Sequence, residues 1–371
     1  IDIEATGSVR VDGVIAADGD SGTGNDSGSG SGGSIWLRAA QLRGSGSIHA
    51  NGGAYHVPGG GGRIAVNYVF LGASGDNFAE LRNVLARGGH NGTRSASAGT
   101  VLFKQIGQQC GDLYFDEELA SGTSVRYSPL THTGFGTIAG VTSDATTTTI
   151  TTDGLVEMLP GALVGLQFNP DTSQTTTFPV LANTEDTITI AQTPLAQPGG
   201  SYSGVYCFDN VTLRRGAFVI FGDQVDVTGQ MLISENSVLT HYDARYSGFT
   251  SRLEVNAGAL QVLSGSSINV DGRGYVGGCQ DGNGATGQTI PGLTGSTERS
   301  GGSYGGRGGN QSGVSNLTYG SPVNPNELGS GGSCGGGYGG GNGGGLIKLS
   351  AGSLVVDGTI SANGNSGDGN T

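Results

Sequence analysis

Ile35-Trp36-Leu37-Arg38-Ala39, followed by Leu42 and then by Gly46-Ser47-Ile48-His49-Ala50-Asn51-Gly52, is the most informative stretch of this chain. Apolar and polar residues alternate with period two. Ile35, Leu37, Ala39, Leu42, Ile48 and Ala50 therefore share one face of extended chain. The same template occurs at Ile1-Asp2-Ile3-Glu4-Ala5, Val9 and Gly13-Val14-Ile15-Ala16-Ala17-Asp18-Gly19, with one extra residue ahead of Val9. It occurs again at Ile347-Lys348-Leu349-Ser350-Ala351, Leu354 and Gly358-Thr359-Ile360-Ser361-Ala362-Asn363-Gly364. Each copy reads as three short strands joined by tight turns. One copy cannot bury its own apolar face, but stacked copies can, which predicts an all-β chain built on a β-solenoid, or β-helix. Val211, Leu213, Phe218, Ile220, Val225, Val227, Leu232, Ile233, Leu253, Val255, Leu260, Val262, Ile268 and Val270 supply further inward positions.

The two ends nearly repeat each other. Gly7-Ser8-Val9-Arg10-Val11-Asp12-Gly13 aligns with Gly352-Ser353-Leu354-Val355-Val356-Asp357-Gly358, and the match runs on to Asn25 and Asn370. The chain starts without Met and stops inside this motif, so the expectation is a window from something longer. A terminal coil presents unpaired N–H and C=O groups, and the sequence offers no capping helix or charged plug. Ile1, Ile3, Val9, Val11 and Ile15 at one end, and Ile347, Leu349, Leu354, Val356 and Ile360 at the other, are therefore candidate assembly residues.

Glycine makes up 75 of the 371 residues, about three times the usual share. Collagen is excluded, since there is no strict Gly-X-Y period and Pro numbers only 10. Alternating Ile, Leu and Val between the Gly-rich runs argue against disorder. Those runs, Gly19 to Gly33, Gly52 to Gly62 and Gly272 to Gly345, are either flexible linkers or packed polyproline-II-type segments. The embedded Tyr275, Tyr304, Tyr319 and Tyr338 favour an ordered layer. The net charge of −13, with Lys104 and Lys348 the only lysines, leaves no basic cluster for nucleic acid. No apolar run reaches the length of a membrane span.

The style changes within residues 133–207. Thr147 to Thr152, Ala162 to Phe168, Thr177 to Leu181 and Asp186 to Ile190 read as strands of a small inserted antiparallel barrel or sandwich. The expected organisation is thus solenoid (1–132), inserted β domain (133–207), solenoid (208–275), Gly-rich layer (276–345) and a last coil (346–371). Four cysteines allow three pairings. Position favours Cys110–Cys207, at the base of the insertion, and Cys279–Cys334, near the two ends of the longest Gly-rich run. Four free thiols are the alternative. The paired reading implies an oxidising compartment, hence an extracellular or cell-surface location.

Residues able to do chemistry are sparse. Asp18, Asp20 and Asp26 read either as a weak calcium site or as ordinary turn formers. No other cofactor is implied. None of the five histidines has a metal-ligand spacing. Asp243, Arg245, Arg252, Asp271 and Arg273 are the nearest approach to the carboxylate-and-cation groove of a carbohydrate-active β-helix. Turn structure explains them equally well, so no catalytic role is expected.

Gly-Gly-Ser-Ile-Trp-Leu-Arg-Ala (32–39), Gly-Gly-Gly-Gly-Arg-Ile-Ala-Val (59–66), Val-Asp-Gly-Arg-Gly-Tyr (270–275), Leu-Gly-Ser-Gly-Gly (328–332) and Ile-Ser-Ala-Asn-Gly (360–364) resemble the glycine-rich solenoid regions of very large secreted bacterial surface proteins. The resemblance implies a surface role and carries over no catalytic residue. The expected function is a structural repeat unit of an extracellular fibre or surface layer. Its copies would join end to end, as tandem repeats of one chain or as separate subunits. Two alternatives remain: an adhesin whose binding head is 133–207, with a surface glycan as ligand, and a carbohydrate-active enzyme.

Overall fold

The computed structural model describes residues 1–24, 27–72, 78, 83–117, 127–245 and 248–367. Among these residues the chain is all β, with several sheets and no helix. The first strands are β1 (Asp2–Arg10), β2 (Val14–Ala16), β3 (Ser34–Arg43), β4 (Ser47–His49), β5 (Arg63–Leu71), β6 (Val84–Leu85) and β7 (Thr100–Gln105). β1, β3, β5 and β7 lie side by side in parallel, while β2, β4 and β6 form a second parallel sheet. Ile35, Leu37, Ala39, Leu42, Ile48 and Ala50 are all buried in the core they share. Leu37 stands opposite Ile3 on one side and Val66 on the other. The extra residue ahead of Val9 appears as a register shift between Ala5 and Ser8. A long strand and its following short strand make one rung. The three short strands expected per copy are two, because β3 keeps pairing through Gln41 and never breaks.

The chain continues with β8 (Asp112–Asp116), β9 (Ser128–Pro129), β10 (Phe135–Thr137), β11 (Gly140–Ser143), β12 (Thr147–Thr151), β13 (Gln167–Asn169), β14 (Phe178–Pro179), β15 (Ala182–Asn183), β16 (Thr187–Ala191) and β17 (Ser201–Phe208). It closes with β18 (Asn210–Arg214), β19 (Phe218–Ile220), β20 (Gln224–Ile233), β21 (Val238–Thr240), β22 (Leu253–Val262), β23 (Ser267–Asn269), β24 (Ile347–Val356) and β25 (Thr359–Ser361). β8, β18, β20, β22 and β24 extend the first sheet in parallel with one another. β9, β19, β21, β23 and β25 form the companion sheet. Of the inward positions expected here, Phe218 and Leu232 are replaced by Val219 and Met231. An irregularity between Val227 and Gln230 resets the alternation, so Met231 pairs with buried Leu260.

The two stacks meet at β7 and β8, which pair antiparallel. Residues opposite each other in such a pair point to the same face. Val101 and Tyr114 turn toward the first core, whereas Leu102 and Leu113 turn toward the second. At this seam the strands reverse direction and the core crosses to the other face of the sheet. Buried Asp116 holds the seam: Arg214 Nε donates to it at 2.7 Å, Arg215 Nε at 2.7 Å, and Arg87 Nε lies 3.8 Å away. The Cys110–Cys207 disulfide joins the approach to β8 with the end of β17.

Within 133–207, β11, β12, β16 and β15 form an antiparallel sheet over a separate core of Ile138, Ile150, Leu163, Phe168, Ile188 and Tyr202. The strand expected over Ala162–Phe168 is confined to Gln167–Asn169. Ala162 to Leu166 instead form turns, with Gly161 and Gly165 at positive φ and the Leu163 N–H donating to Asn183 Oδ1. Buried Asp223 ties the start of the segment to the stack, accepting from the N–H groups of Thr133 and Gly134. Burial raises its pKa to about 7 against those donors.

Between β23 and β24 the chain leaves the stack and returns one rung later, so that Leu253 pairs with Ile347. The intervening glycines are ordered. Gly278 donates to Gly332 O, Gly332 to Gly341 O, and Gly340 back to Gly278 O. Three extended segments thus bond in a triangle, where a sheet would bond them in one plane. A Cβ at Gly277, Gly331 or Gly343 would fall on the backbone carbonyl of Gly340, Val276 or Gly329. The Cys279–Cys334 disulfide lies in this layer. A smaller layer beside the first stack follows the same rule, with Gly53 donating to Gly30 O, Gly59 to Gly53 O and Gly89 to Gly59 O. His241 latches the chain's return. Its Nδ1–H donates to Tyr242 O and its Nε2 accepts from Leu346 N, and burial lowers its pKa to about 4.

Candidate functional site

The candidate assembly residues occupy the two outermost rungs. Among the described residues β24 pairs only with β22, and β25 only with β23. On internal rungs Leu253, Val255, Leu260, Val262 and Ile268 are sealed. Their counterparts Ile347, Leu349, Leu354, Val356 and Ile360 have nothing above them among the described residues. Leu354 is 50% exposed, although its partner Leu260 is 1% exposed. Ile347, Leu349 and Ile360 line a cleft of about 590 Å³ that opens the end of the core beside Tyr304.

At the other end, among the described residues, β1 pairs only with β3, and β2 only with β4. Ile1 and Val14 are 52% and 63% exposed. Ile3, Val9 and Ile15 are half-buried against the first core. Val11 differs from the rest: it is buried, and its N–H is already committed to Arg43 O. It belongs to the core rather than to the open face.

The remaining sequence candidates fall in separate places. Asp18 accepts the Asn51 N–H at 2.7 Å through Oδ1 and lies 2.7 Å from His49 Nδ1 through Oδ2. Asp20 Oδ1 caps the Ser21 N–H. These are turn roles. Asp26 lies outside the described residues, and among those described no group of three or more metal-binding side chains forms. Asp243 and Arg273 pair at 2.7 Å beside His241, whose carbonyl accepts from Arg273 Nη1. Asp271 accepts the Asn363 N–H. Arg245 lies over the Phe249 ring, and Arg252 pairs with Glu254. These five residues do not converge on one point, but two of them, Arg245 and Arg252, line one groove.

The sequence reading missed a large groove, about 1120 Å³, where the inserted segment and the glycine layer flank the outer face of β20, β22 and β24. Its floor consists of Gln224, Asp226, Glu254, Asn256 and Lys348. The alternation that sends Val225 and Val255 inward sends these outward. That signal was present in the sequence, but nothing in it says that two distant segments wall the floor. Comparison with family models, with curated proteins and with solved structures finds no match to this chain. No helix of the described residues is long and apolar enough to cross a membrane.

Proposed function

We propose that this chain is a structural unit of an extracellular fibre or surface layer, a glycine-rich β-solenoid that extends end to end by pairing rung on rung. The carrying observation is the last rung, where Leu354 stands half exposed in unbroken register over sealed Leu260. Covering a leucine-sized side chain contributes about 1.5–3 kcal/mol. The open cleft lined by Ile347, Leu349 and Ile360 adds further apolar surface. The first rung offers a matching edge in Ile1, Ile3, Val9 and Ile15, on a template that already pairs in parallel with its own near-copy at Ile35–Ile48. The joint is either covalent, between tandem repeats, or noncovalent, between subunits. Two disulfides, one closing the seam and one within the glycine layer, support an oxidising and hence extracellular setting.

Electron microscopy and sedimentation of the purified chain test this reading. The expected result is thin filaments whose axial repeat is one unit, lost in Leu354→Lys, which places a charge on the open rung without touching the core. Discrete particles at every concentration, whichever residue stands at 354, overturn it.

A further inference from the structure

We infer that the groove over β20, β22 and β24 binds a neutral polysaccharide chain, an activity separate from end-to-end assembly. The floor is polar and already organised. Asp226 Oδ1 accepts from Gln224 Nε2 at 2.8 Å and from Asn256 Nδ2 at 2.8 Å. Glu254 Oε2 accepts from Arg252 Nε at 2.9 Å, and its Oε1 from Lys348 Nζ at 2.7 Å. These bonds fix the side chains before any ligand arrives, which lowers the ordering cost of binding. They also leave capacity unused. Asp226 Oδ2, the side-chain amide oxygens of Gln224 and Asn256, and the remaining N–H groups of Arg252 and Lys348 have no hydrogen-bond partner among the described residues. Acceptors and donors therefore lie close together. A sugar hydroxyl, which donates and accepts at once, satisfies that pattern.

Phe135 stands at the edge of the floor with the Arg252 guanidinium 4.0 Å from its ring centre. The guanidinium covers one face of the ring and sets a planar donor group at the edge of the floor, where sugar hydroxyls can accept from it. The groove exceeds the roughly 300–1,000 Å³ that holds a drug-sized ligand, and it is open to solvent, so a chain fits better than a single ring.

Other polymers fit less well. Asp153, Asp226, Glu254 and Glu327 are nearly balanced by Arg245, Arg252 and Lys348, so a nucleic acid finds no net positive track. An extended peptide docks by adding to a free strand edge. Across the floor there is none, because β20, β22 and β24 bond to one another, and the open edge of β24 is the one assigned to end-to-end pairing. Both oxygens of Glu254 are held by cations, which points to binding rather than to acid-assisted cleavage of the chain.

Calorimetric titration with neutral gluco-, manno- and galacto-oligosaccharides tests the inference, using Leu354→Lys protein so that assembly adds no heat. At least one series should bind. Asp226→Ala should weaken that binding roughly tenfold, the loss expected for one hydrogen bond to a charged group. Thr286→Trp, an exposed position on the wall, should block the groove without disturbing the floor. An unchanged thermal midpoint in Thr286→Trp separates blockage from misfolding. Failure of every neutral series to bind, binding indifferent to both substitutions, or capture of an extended peptide in their place overturns the inference.

Discussion

In the strand stack, Leu37 and Ile48 are sealed by side chains from the rungs above and below; in the layer between Asp271 and Gly345, backbone carbonyls occupy the space that side chains fill elsewhere. The stack is held by apolar burial and by ladders running one way. The layer is held by N–H···O bonds in several directions, with a few buried side chains, Tyr275, Val276 and Leu328, against the stack. The difference predicts opposite tolerances. A rung accepts another apolar residue of similar size, whereas a packed glycine accepts no side chain at all. The stack also propagates by adding rungs, while the layer is closed on itself by its own bonds and by Cys279–Cys334.

Removing that disulfide should separate the two regions most strongly. The double substitution Cys279→Ser with Cys334→Ser reopens a long loop, worth about 4 kcal/mol by loop-closure entropy. Hydrogen exchange should show lost protection at Gly278, Gly332 and Gly340, with the β20–β22 ladder unchanged. Equal loss in both regions would mean that stack and layer unfold as one.

Acid should act next. The buried His241 is held neutral, its pKa lowered from an ordinary 6.5 to about 4. The unfolded chain takes the proton first, so His241's contribution is complete above about pH 6.5. It falls as pH drops and is lost below about 4, in total about 3 kcal/mol. Asp223 opposes it: with its pKa raised to about 7, its contribution is complete below the ordinary carboxylate range and is lost as pH rises through 7. Asp223→Asn should therefore steepen the acid destabilisation. Exchange of the Leu346 N–H, which His241 holds, reports it locally. A flat profile between pH 4 and 6.5 in that variant would remove the latch assigned to His241.

The smallest contrast is one methyl group in each region. Gly343→Ala drives a Cβ into the Gly329 carbonyl and should cost about 1–3 kcal/mol. Ile48→Val removes a methylene from a sealed rung and should cost about 0.5–1.5 kcal/mol. Chemical denaturation measures both. If the alanine is the cheaper, the layer is less tightly packed than its bonds imply.

Much of the stack was legible because its information is local. Period-two alternation places Ile35, Leu37, Ala39, Leu42 and Ile48, and one extra residue before Val9 becomes one register shift. Phe218 and Leu232 misled because apolar residues on both phases make alternation ambiguous, and Val219 and Met231 took the inner places. Ala162 to Leu166 misled because their apolar content resembles a strand, while Gly161, Gly165 and the side chain of Asn183 bend the backbone into turns. The groove escaped notice because its parts are ordinary outward polar residues until distant walls rise beside them.

By itself the sequence determined the all-β character, the inward positions of most rungs and the near-identity of the first and last copies, since each is written in neighbouring residues. Only the tertiary structure decided the seam, where Val101, Leu102 and Phe103 are all apolar and alternation cannot say which face is inside. The choice falls to the antiparallel partner: Leu113 and Phe115 draw one face into the second core, and Tyr114 leaves the other to the first. Which face of a strand is inside is a property of what covers it, and that cover arrives from residues far away in the chain.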